Sequence, residues 1–290
     1  MNEKSLEYIK CNLCDGEETN ILLEKNSFYL VKCKRCGLVY TNPRLKESIS
    51  YERYDNGNLN SYLSALSAAN EFLIYLEVLK NSEIYRNKNK ILDIGCGTGL
   101  FLKKAREEKW NVFGIELSEI AIDYAKKNYN LDLIKGELKD VKFPDGYFDV
   151  ITMWEVIEHL QNPKEELKEI FRILREGGLL FLSTPNFNSL NFILRKKNWC
   201  IINPSDHIYY FTPKTLKKLL KNAGFKIRNL RTFGFNITNT ILTLNSVFAS
   251  EKLYSQFRRK IYFKKFLKPS VNFLLNLFRW GDTIILYAEK

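Results

Sequence analysis

Four of the six cysteines in this chain of 290 residues stand in two pairs with the same spacing. Cys11 and Cys14 form the first C-x2-C pair, and Cys33 and Cys36 form the second, eighteen residues further along. Two tight turns can each offer two thiolates to one tetrahedral ion, which is the usual ligand set of structural zinc. We therefore expect a closed, structural zinc site in a small N-terminal knuckle, with four unrelated thiols as the alternative.

The two histidines of the chain both have carboxylates close by in the sequence. Glu155, Glu158 and His159 have the spacing i, i+3 and i+4, which places three side chains on one face if the segment is helical. They could orient a substrate or hold a divalent metal, and a polar helix start without a catalytic role is the alternative. His207 follows Asp206, whose carboxylate could orient the imidazole and raise its pKa for proton transfer. A histidine that only caps the next helix is the competing interpretation.

A glycine-rich turn, ILDIGCGTG, occupies residues 91–99 and follows an apolar strand. Glycines let the backbone approach a ligand closely at the start of a helix. The spacing G-x-G-x-G differs from the G-x-G-x-x-G of dinucleotide-binding oxidoreductases, which disfavours that class. Glu116 ends the next apolar strand, where a carboxylate can accept hydrogen bonds from both hydroxyls of a ribose. The pattern predicts a site for an adenosine-containing ligand.

Strands and helices alternate through the rest of the chain and must position these groups. Strands are expected at 91–94, 112–116, 131–134, 148–154, 178–184, 226–233 and 282–289, with helices ending near 109 and 129 and others at 163–174 and 213–223. Such alternation predicts an α/β, Rossmann-like, mostly parallel sheet with helices on both faces. The last strand returns after a long excursion, and we expect it to be antiparallel.

Three segments follow from these patterns. Residues 1–43 form the zinc knuckle, since Asn42-Pro43 interrupts any regular element. Residues 44–89 contain apolar residues at helical spacing and are expected to be connecting helices. Residues 90–290 form the ligand-binding domain, with a basic amphipathic excursion at 236–280.

The net charge of +12 is concentrated in one part of the chain. Residues 186–290 carry 19 basic and 4 acidic side chains. This excess favours an anionic partner, such as a phosphorylated small molecule, a lipid surface or nucleic acid, although a lysine-rich solvated surface is the alternative. The excursion suits a lid or membrane-surface helix, or a helical hairpin packed on the domain. Without a signal peptide or an apolar membrane span, we expect a cytoplasmic protein.

Four motifs occur in a fixed order: DIGCGTG, GIELSE, FPDGYFDVITMWEVIEHL and LREGGLLFLSTPN. Together they resemble the class I S-adenosylmethionine-dependent methyltransferases over about residues 50–232, and several motifs in order are more specific than one. The resemblance implies that the chain is an enzyme with S-adenosylmethionine as its methyl donor. The residues expected around the donor are Asp93, Gly95, Cys96, Gly97, Glu116, Leu117, Glu137, Leu138, Met153 and Trp154.

By this resemblance, Asp93, Gly95 and Gly97 hold the methionine portion of the donor and Glu116 holds its ribose. Glu137 and Leu138 hold the adenine, although the family usually has Asp where this chain has Glu137. Met153 and Trp154 lie beside the donor, because ligands in such sheets bind at the carboxyl ends of the strands. For Trp154, a role in the core is the alternative.

Two further resemblances concern the acceptor. The knuckle-plus-domain layout is similar to bacterial methyltransferases of sugar and surface-glycan biosynthesis. The E-x-x-E-H pattern is similar to ubiquinone-pathway O-methyltransferases and small-RNA 2′-O-methyltransferases, where it is associated with a divalent metal. We expect a small anionic or lipid-linked acceptor, namely a sugar, glycan precursor, quinone or lipid-linked metabolite, with oxygen favoured over carbon and His207, His159 and Glu158 as catalytic groups. The alternative is an RNA-binding methyltransferase, or a nucleic-acid-binding protein with a vestigial donor site, which the acids around the knuckle disfavour.

Overall fold

A computed structural model of the protein describes residues 5–46, 48, 77–80, 82, 85–234 and 273–290. Most of the expected connecting helices at 44–89, and most of the basic excursion at 236–280, therefore lie outside the described residues. Among the helices that are described, none is both long enough and apolar enough to cross a membrane.

The N-terminal strands are β1 (Leu6–Glu7), β2 (Thr19–Lys25), β3 (Phe28–Cys33), β4 (Val39–Thr41) and β5 (Arg44–Leu45). The remaining strands are β6 (Lys90–Ile94), β7 (Asn111–Glu116), β8 (Ile134–Lys135), β9 (Phe148–Trp154), β10 (Leu174–Pro185), β11 (Tyr209–Tyr210), β12 (Lys226–Phe233) and β13 (Thr283–Glu289). The helices are α1 (Leu100–Glu107), α2 (Glu119–Tyr129), α3 (Pro163–Ile173), α4 (Leu190–Arg195) and α5 (Pro213–Asn222), with 3-10 turns at Leu138–Asp140 and Lys196–Asn198.

Seven of these strands form one sheet in the order β8, β7, β6, β9, β10, β13, β12. The strands from β6 to β10 run parallel, whereas β13 is antiparallel to both β10 and β12. Parallel neighbours need crossover connections, which is why strand and helix patterns alternate in the sequence. The expected Rossmann-like, mostly parallel sheet with an antiparallel last strand is confirmed.

Side chains of the sheet alternate between two buried clusters, one on each face. Leu92 and Leu180 pack with the apolar residues of α3 and α5. Their neighbours Ile91 and Leu179 pack with those of α1 and α2. Because strands covered on both faces are apolar throughout, a continuous run such as FDVITMW forms β9 over its full length. The helices cover both faces, as the sequence predicts.

One predicted strand is shorter than expected. The strand at 131–134 pairs with β7 only through Ile134 and Lys135. Leu131 instead lies in the buried cluster with Phe101 and Ala125. Packing of that leucine against the helices therefore replaces strand pairing at this edge of the sheet.

Residues 5–46, which contain the four paired cysteines, are called the cysteine unit below. Its strands β2, β3 and β4 form a second sheet with β11, in the order β11, β4, β3, β2. Leu38 and Tyr40 of the unit belong to the same buried cluster as α3 and α5. The cysteine unit therefore shares one buried core with the seven-stranded sheet and its helices, and pairs with β11, which follows β10 along the chain.

Candidate active site and cysteine cluster

The parallel strands bring the candidate residues to one edge of the sheet. The glycine loop follows β6, Glu116 ends β7, Glu137 follows β8 and Trp154 ends β9. His207 lies in the longer connection between β10 and β11. Ligands of open α/β sheets bind at the carboxyl ends of the strands, which is where these residues are.

The glycine loop is held between its two neighbouring loops. Gly95 and Gly97 have φ angles of +66° and +52°, a region that residues with a side chain rarely adopt. A Cβ atom on Gly95 would lie 2.5 Å from Cγ2 of Val156, so the loop is in close contact with the turn after β9. The N–H of Gly97 donates a hydrogen bond of 2.7 Å to Oε2 of Glu116. The loop thus connects the end of β7 with the turn after β9.

The carboxylate of Glu116 is buried and accepts three backbone hydrogen bonds. Besides the bond from Gly97, Oε1 accepts the N–H groups of Leu117 and Ser118, both at 2.9 Å. Burial raises the pKa of Glu116, while the three N–H donors oppose this shift. A carboxylate has about four acceptor positions, so capacity remains for a hydroxyl of a ribose.

Asp93 lies under the glycine loop and is 1% exposed. The hydroxyl of Thr152 donates a hydrogen bond of 2.6 Å to Oδ1 of Asp93. Burial raises the pKa of Asp93 to about 8, and the bond from Thr152 opposes the rise. A cation close to Asp93 would lower this pKa again, because an opposite charge favours the ionised carboxylate.

The other residues predicted to lie around the methyl donor form two groups, one buried in the core and one in the turn after β8. Cys96 lies in the cluster of α1 and α2, and Met153 is fully buried. Trp154 packs edge-on against Phe101 with ring centroids 5.6 Å apart. These contacts are the core role that the sequence leaves open for Trp154.

Glu137 and Leu138 lie at the turn after β8. Leu138 is fully buried. The N–H of Glu137 donates a hydrogen bond of 3.2 Å to Asp140, and the carboxylate of Glu137 forms an ion pair of 2.6 Å with Lys139. The carboxylate of Glu137 thus has a protein partner of its own, and its contact with adenine stays a prediction.

Glu158, His159 and His207 come together although His207 is far away in the sequence. One ligand atom from each lies within 4.8 Å of the others, and the two imidazole rings are 4.7 Å apart in an edge-to-face arrangement. The condition under which Glu155, Glu158 and His159 would share one helical face is not met, because residues 155–159 form a turn. Glu155 has a φ angle of +53° and is not part of the group.

Hydrogen bonds fix both rings through the same nitrogen atom. Nδ1 of His159 lies 3.1 Å from the carbonyl oxygen of Asp206 and 3.3 Å from its Oδ1. Nδ1 of His207 is 2.8 Å from the carbonyl oxygen of Ile201. Nε2 of His159 lies 3.9 Å from Oε1 of Glu158, and Nε2 of His207 lies 3.9 Å from Oδ2 of Asp206.

The two histidines have opposite pKa shifts. Burial would lower the pKa of His159, but its hydrogen bond to Asp206 and the charge of Glu158 raise it to about 9. Burial and the neighbouring charge of His159 lower the pKa of His207 to about 4. The charge of Asp206 does raise the pKa of His207, but burial and the charge of His159 outweigh it, so the expected net increase is wrong.

The carboxyl group of Glu158 is 1% exposed. Its Oε2 accepts a hydrogen bond of 2.9 Å from the hydroxyl of Thr184. Its Oε1 is buried without a hydrogen-bond partner among the residues that the structure describes, and lies 3.9 Å from Nε2 of His159. Burial raises the pKa of Glu158, while the charge of His159 opposes this.

The four paired cysteines form a compact group with no disulfide. The Sγ atoms of Cys11 and Cys36 are 3.4 Å apart, and those of Cys14 and Cys33 are 3.6 Å apart. Zn–S bonds of about 2.3 Å place tetrahedral sulfurs about 3.8 Å from one another. Burial opposes ionisation of Cys33, yet hydrogen bonds from the backbone of Cys36 and the side chain of Cys14 lower its pKa to about 7. The sulfur positions fit a zinc ion.

Comparison with known proteins shows the family of the chain. A family model described as a methyltransferase domain matches residues 48–230, which is more than half of the chain. The chain belongs to this methyltransferase family. The matched segment contains the glycine loop and Glu116, and it is an S-adenosylmethionine-dependent methyltransferase domain.

Two curated relatives resemble the methyltransferase in sequence. A probable S-adenosylmethionine-dependent methyltransferase of Mycolicibacterium smegmatis is 30% identical over 48% of this chain and 52% of its own length. A ubiquinone biosynthesis O-methyltransferase of Thiobacillus denitrificans is 27% identical over 54% of this chain and 73% of its own length. The chain thus spans about half the length of the first relative.

A solved structure shares the fold of the methyltransferase. The S-adenosylmethionine-dependent methyltransferase of Archaeoglobus fulgidus has a TM-score of 0.50 and 21% sequence identity, and the match covers 84% of this chain and 100% of that one.

Sequence reasoning missed two residues of the candidate site, Thr152 and Thr184, and the histidine partner of a third, Asp206. Thr152 is bonded to Asp93, Thr184 to Glu158 and Asp206 to His159. Thr152 and Thr184 are polar residues within otherwise apolar strands, which is a signal that could have found them, since buried hydroxyls need partners. Asp206 gives no such signal, because its partner is 47 residues away.

Proposed function

We propose that this methyltransferase transfers the methyl group of S-adenosylmethionine to an oxygen atom of a small-molecule acceptor, with carbon as the alternative. The acceptor classes are a sugar, a glycan precursor, a quinone or a lipid-linked metabolite. The observation that carries the proposal is the group of Glu158, His159 and His207 beside the glycine loop. Similarity to a protein named as a ubiquinone biosynthesis O-methyltransferase supports the choice of oxygen.

The donor would lie over the glycine loop. Asp93, Gly95 and Gly97 would surround its methionine portion, and Glu116 its ribose, while Leu138 would contact its adenine. Contact between Gly95 and Val156 joins this loop to the turn that carries Glu158. Transfer from a sulfonium is an in-line displacement, so holding the acceptor beside this loop supplies much of the acceleration.

An acceptor hydroxyl must lose its proton during the transfer. His207 is neutral at pH 7 because its pKa is about 4, and its Nδ1–H donates to Ile201. Its Nε2 therefore has a lone pair that can accept the proton, although an imidazole of low pKa is a weak base. The side chains of Glu158 and His159, whose Oε1 and Nε2 atoms lie 3.9 Å apart, would orient the acceptor.

The same three residues fit a divalent metal. Glu158 supplies a buried oxygen without a hydrogen-bond partner in the described part of the chain. His159 and His207 both have Nδ1 engaged, and metal-binding histidines usually have their other nitrogen held in this way. A divalent cation bound there would lower the pKa of an acceptor hydroxyl. His159 would then be neutral.

We further propose that Cys11, Cys14, Cys33 and Cys36 hold a structural zinc ion. Four sulfur ligands fill a tetrahedral site and leave no position for a substrate. Its role would be to stabilise the cysteine unit.

A surface suited to an anionic, lipid-linked partner lies at residues 273–279. Residues 273–278 are helical, and their exposed apolar side chains include Phe273, Leu277 and Phe278. Arg279 lies close enough to Lys217 to lower the pKa of that lysine, after burial as the larger cause. Exposed apolar groups beside cations are typical of surfaces that bind anionic membranes.

The test begins with a screen of small-molecule acceptors and labelled donor. With an accepted substrate in hand, His207→Ala should leave the donor affinity unchanged and lower turnover by about a hundredfold or more. If a metal acidifies the acceptor, chelation should abolish turnover and Glu158→Ala should do the same. Turnover that survives both His207→Ala and chelation would reject both mechanisms, and exclusive methylation of RNA would reject the small-molecule acceptor.

A further inference from the structure

The cysteine unit holds the segment that carries His207. Strand β4 pairs with β11, and Thr41 at the end of β4 continues this pairing. Its N–H donates a hydrogen bond of 2.8 Å to the carbonyl of Ile208, and its hydroxyl donates one of 3.2 Å to the carbonyl of His207. Thr41 is fully buried. One residue of the unit therefore fixes the backbone of His207 and of its neighbour.

The same backbone is bonded on its other side to Glu158. The N–H groups of Ile208 and Tyr209 donate hydrogen bonds of 2.9 and 3.0 Å to the carbonyl of Glu158. Residues 207–209 thus lie between Thr41 and Glu158 and are hydrogen-bonded to both. A displacement at Thr41 would change the separation of His207 and Glu158.

Two other contacts hold the turn that follows His159. Nη1 of Arg44 donates a hydrogen bond of 2.6 Å to the carbonyl of Gln161. The N–H of Lys164, in the first turn of α3, donates one of 2.9 Å to Oδ1 of Asn12. Asn162, at the N-cap position, makes no side-chain cap of its own. The cysteine unit therefore caps α3 from outside the helix.

Apolar packing also joins the cysteine unit to the connection that carries His207. A third buried cluster combines residues of the cysteine unit with residues of the connection after β10. Its members are Leu30, Val39, Phe187, Trp199, Ile202 and Tyr210. The connection that carries His207 thus has its apolar support in the cysteine unit.

The zinc ligands lie only a few residues from these contacts. Cys36 precedes Thr41 by five positions, and the N–H of Cys33 donates a hydrogen bond of 2.9 Å to the carbonyl of Leu38, just before β4. An ion that fixes both cysteines would fix the start of β4.

We propose that the cysteine unit is a positioning element for the acceptor side of the methyltransferase site, and that Thr41 is the residue through which it holds His207. The unit acts on the site through backbone hydrogen bonds and packing, and not by contact with the donor. The catalytic part of this inference rests on the proposed function, in which His207 faces the acceptor.

The test compares Thr41→Val, which keeps the shape and removes the hydroxyl, with Thr41→Ser, which keeps the hydroxyl. Thr19→Val is the matched control, because Thr19 lies on β2 at the opposite edge of the same sheet. The chain has two histidines, so the zinc-loaded protein labelled at histidine should give two sets of imidazole signals by NMR, and His207→Ala assigns them.

Thr41→Val should shift the signals of His207 and leave the affinity for S-adenosylmethionine unchanged. Turnover of an accepted substrate should fall by about tenfold to a hundredfold. Thr41→Ser should restore the wild-type signals, and Thr19→Val should not change them. Unchanged His207 signals in Thr41→Val would overturn the inference. Shifted signals with wild-type turnover would instead keep Thr41 as the residue that holds His207 and remove His207 from the proposed catalytic role.

Discussion

Glu116 links two loops through three backbone hydrogen bonds and, in our proposal, also binds a ribose. We expect Glu116→Gln to weaken the binding of S-adenosylmethionine by about tenfold to a hundredfold, because a charged hydrogen bond contributes about 1.5–3 kcal/mol. The side-chain amide of glutamine would also place an N–H group against backbone N–H donors, which need an acceptor such as the carboxylate of Glu116. Calorimetric titration measures the affinity.

The matched control for this prediction is Glu119→Gln. Glu119 lies three residues further on, and its exposed carboxylate pairs with Lys135. Equal donor affinity in Glu116→Gln and the wild type would contradict the site. Gly97→Val should abolish binding, since a β-branched residue is strained at a φ of +52°.

A second carboxyl group should make the stability of the protein depend on pH. Burial, and then the charges of Glu137 and Glu169, raise the pKa of Glu166 to about 7 from its ordinary value of 4.5. The folded chain therefore keeps a proton that the unfolded chain releases between pH 4.5 and 7. In this window the free energy of unfolding should fall as the pH rises, by at most about 3 kcal/mol.

Glu166→Gln removes this ionisation. The variant should be more stable than the wild type at pH 8, by about 1–2 kcal/mol after allowance for partial solvent exposure, and of similar stability at pH 4. Denaturant titration at both pH values checks it. Glu165→Gln, an exposed neighbour paired with Lys168, is the control and should show no such difference. An equal gain at both pH values would show that ionisation is not the cause.

Single residues differ in how far the sequence alone reveals their surroundings. The glycine loop, Glu116 and the cysteine pairs were predictable, because each depends on local spacing. The partnership of His159 with Asp206 was not, because it joins residues 47 positions apart. Adjacency of Asp206 and His207 in the sequence suggests a pairing that the structure has only as a contact of 3.9 Å, because Asp206 lies closer to His159.

Among the structural elements, the cysteine unit should depend on its metal. We expect one zinc ion per chain by elemental analysis of protein purified without chelator. Cys33→Ser should remove most of the zinc and lower the free energy of unfolding by several kcal/mol, because metal binding and folding of such sites are coupled. Cys200→Ser is the control, since Cys200 is exposed and outside the cluster. Metal-free protein of full stability would contradict a structural zinc ion.

The elements also show where periodicity is informative. Strands such as β9 and β12 have the bounds that their patterns predict. Residues 155–159 have a spacing that would suit a helix but form a turn, because three residues with helical spacing do not form a helix without a longer apolar pattern. Pairing of β4 with β11 was not predictable, since two-residue strands leave no pattern in a sequence.

The uneven charge of the protein leads to a prediction about its surroundings. We expect binding to vesicles that contain phosphatidylserine at low salt and release at high salt, because screening weakens attraction between surface charges. Flotation of the protein with vesicles measures this. The double variant Leu277→Ser, Phe278→Ser should bind less, and Leu22→Ser, at an exposed leucine of β2, should bind as the wild type does. If the protein binds no vesicles at any salt concentration, the excess of basic residues would instead be explained by a soluble anionic acceptor.

The order of strands in the seven-stranded sheet has a consequence for synthesis of the chain. Strand β12 forms its ladder only with β13 among the described strands, and β13 lies between β12 and β10. A ribosome delivers residues 226–233 some fifty residues before residues 283–289. During that interval β12 and one edge of β10 have no partner in the sheet, and unpaired strand edges promote aggregation. The nascent chain should therefore depend on chaperones until β13 has been inserted.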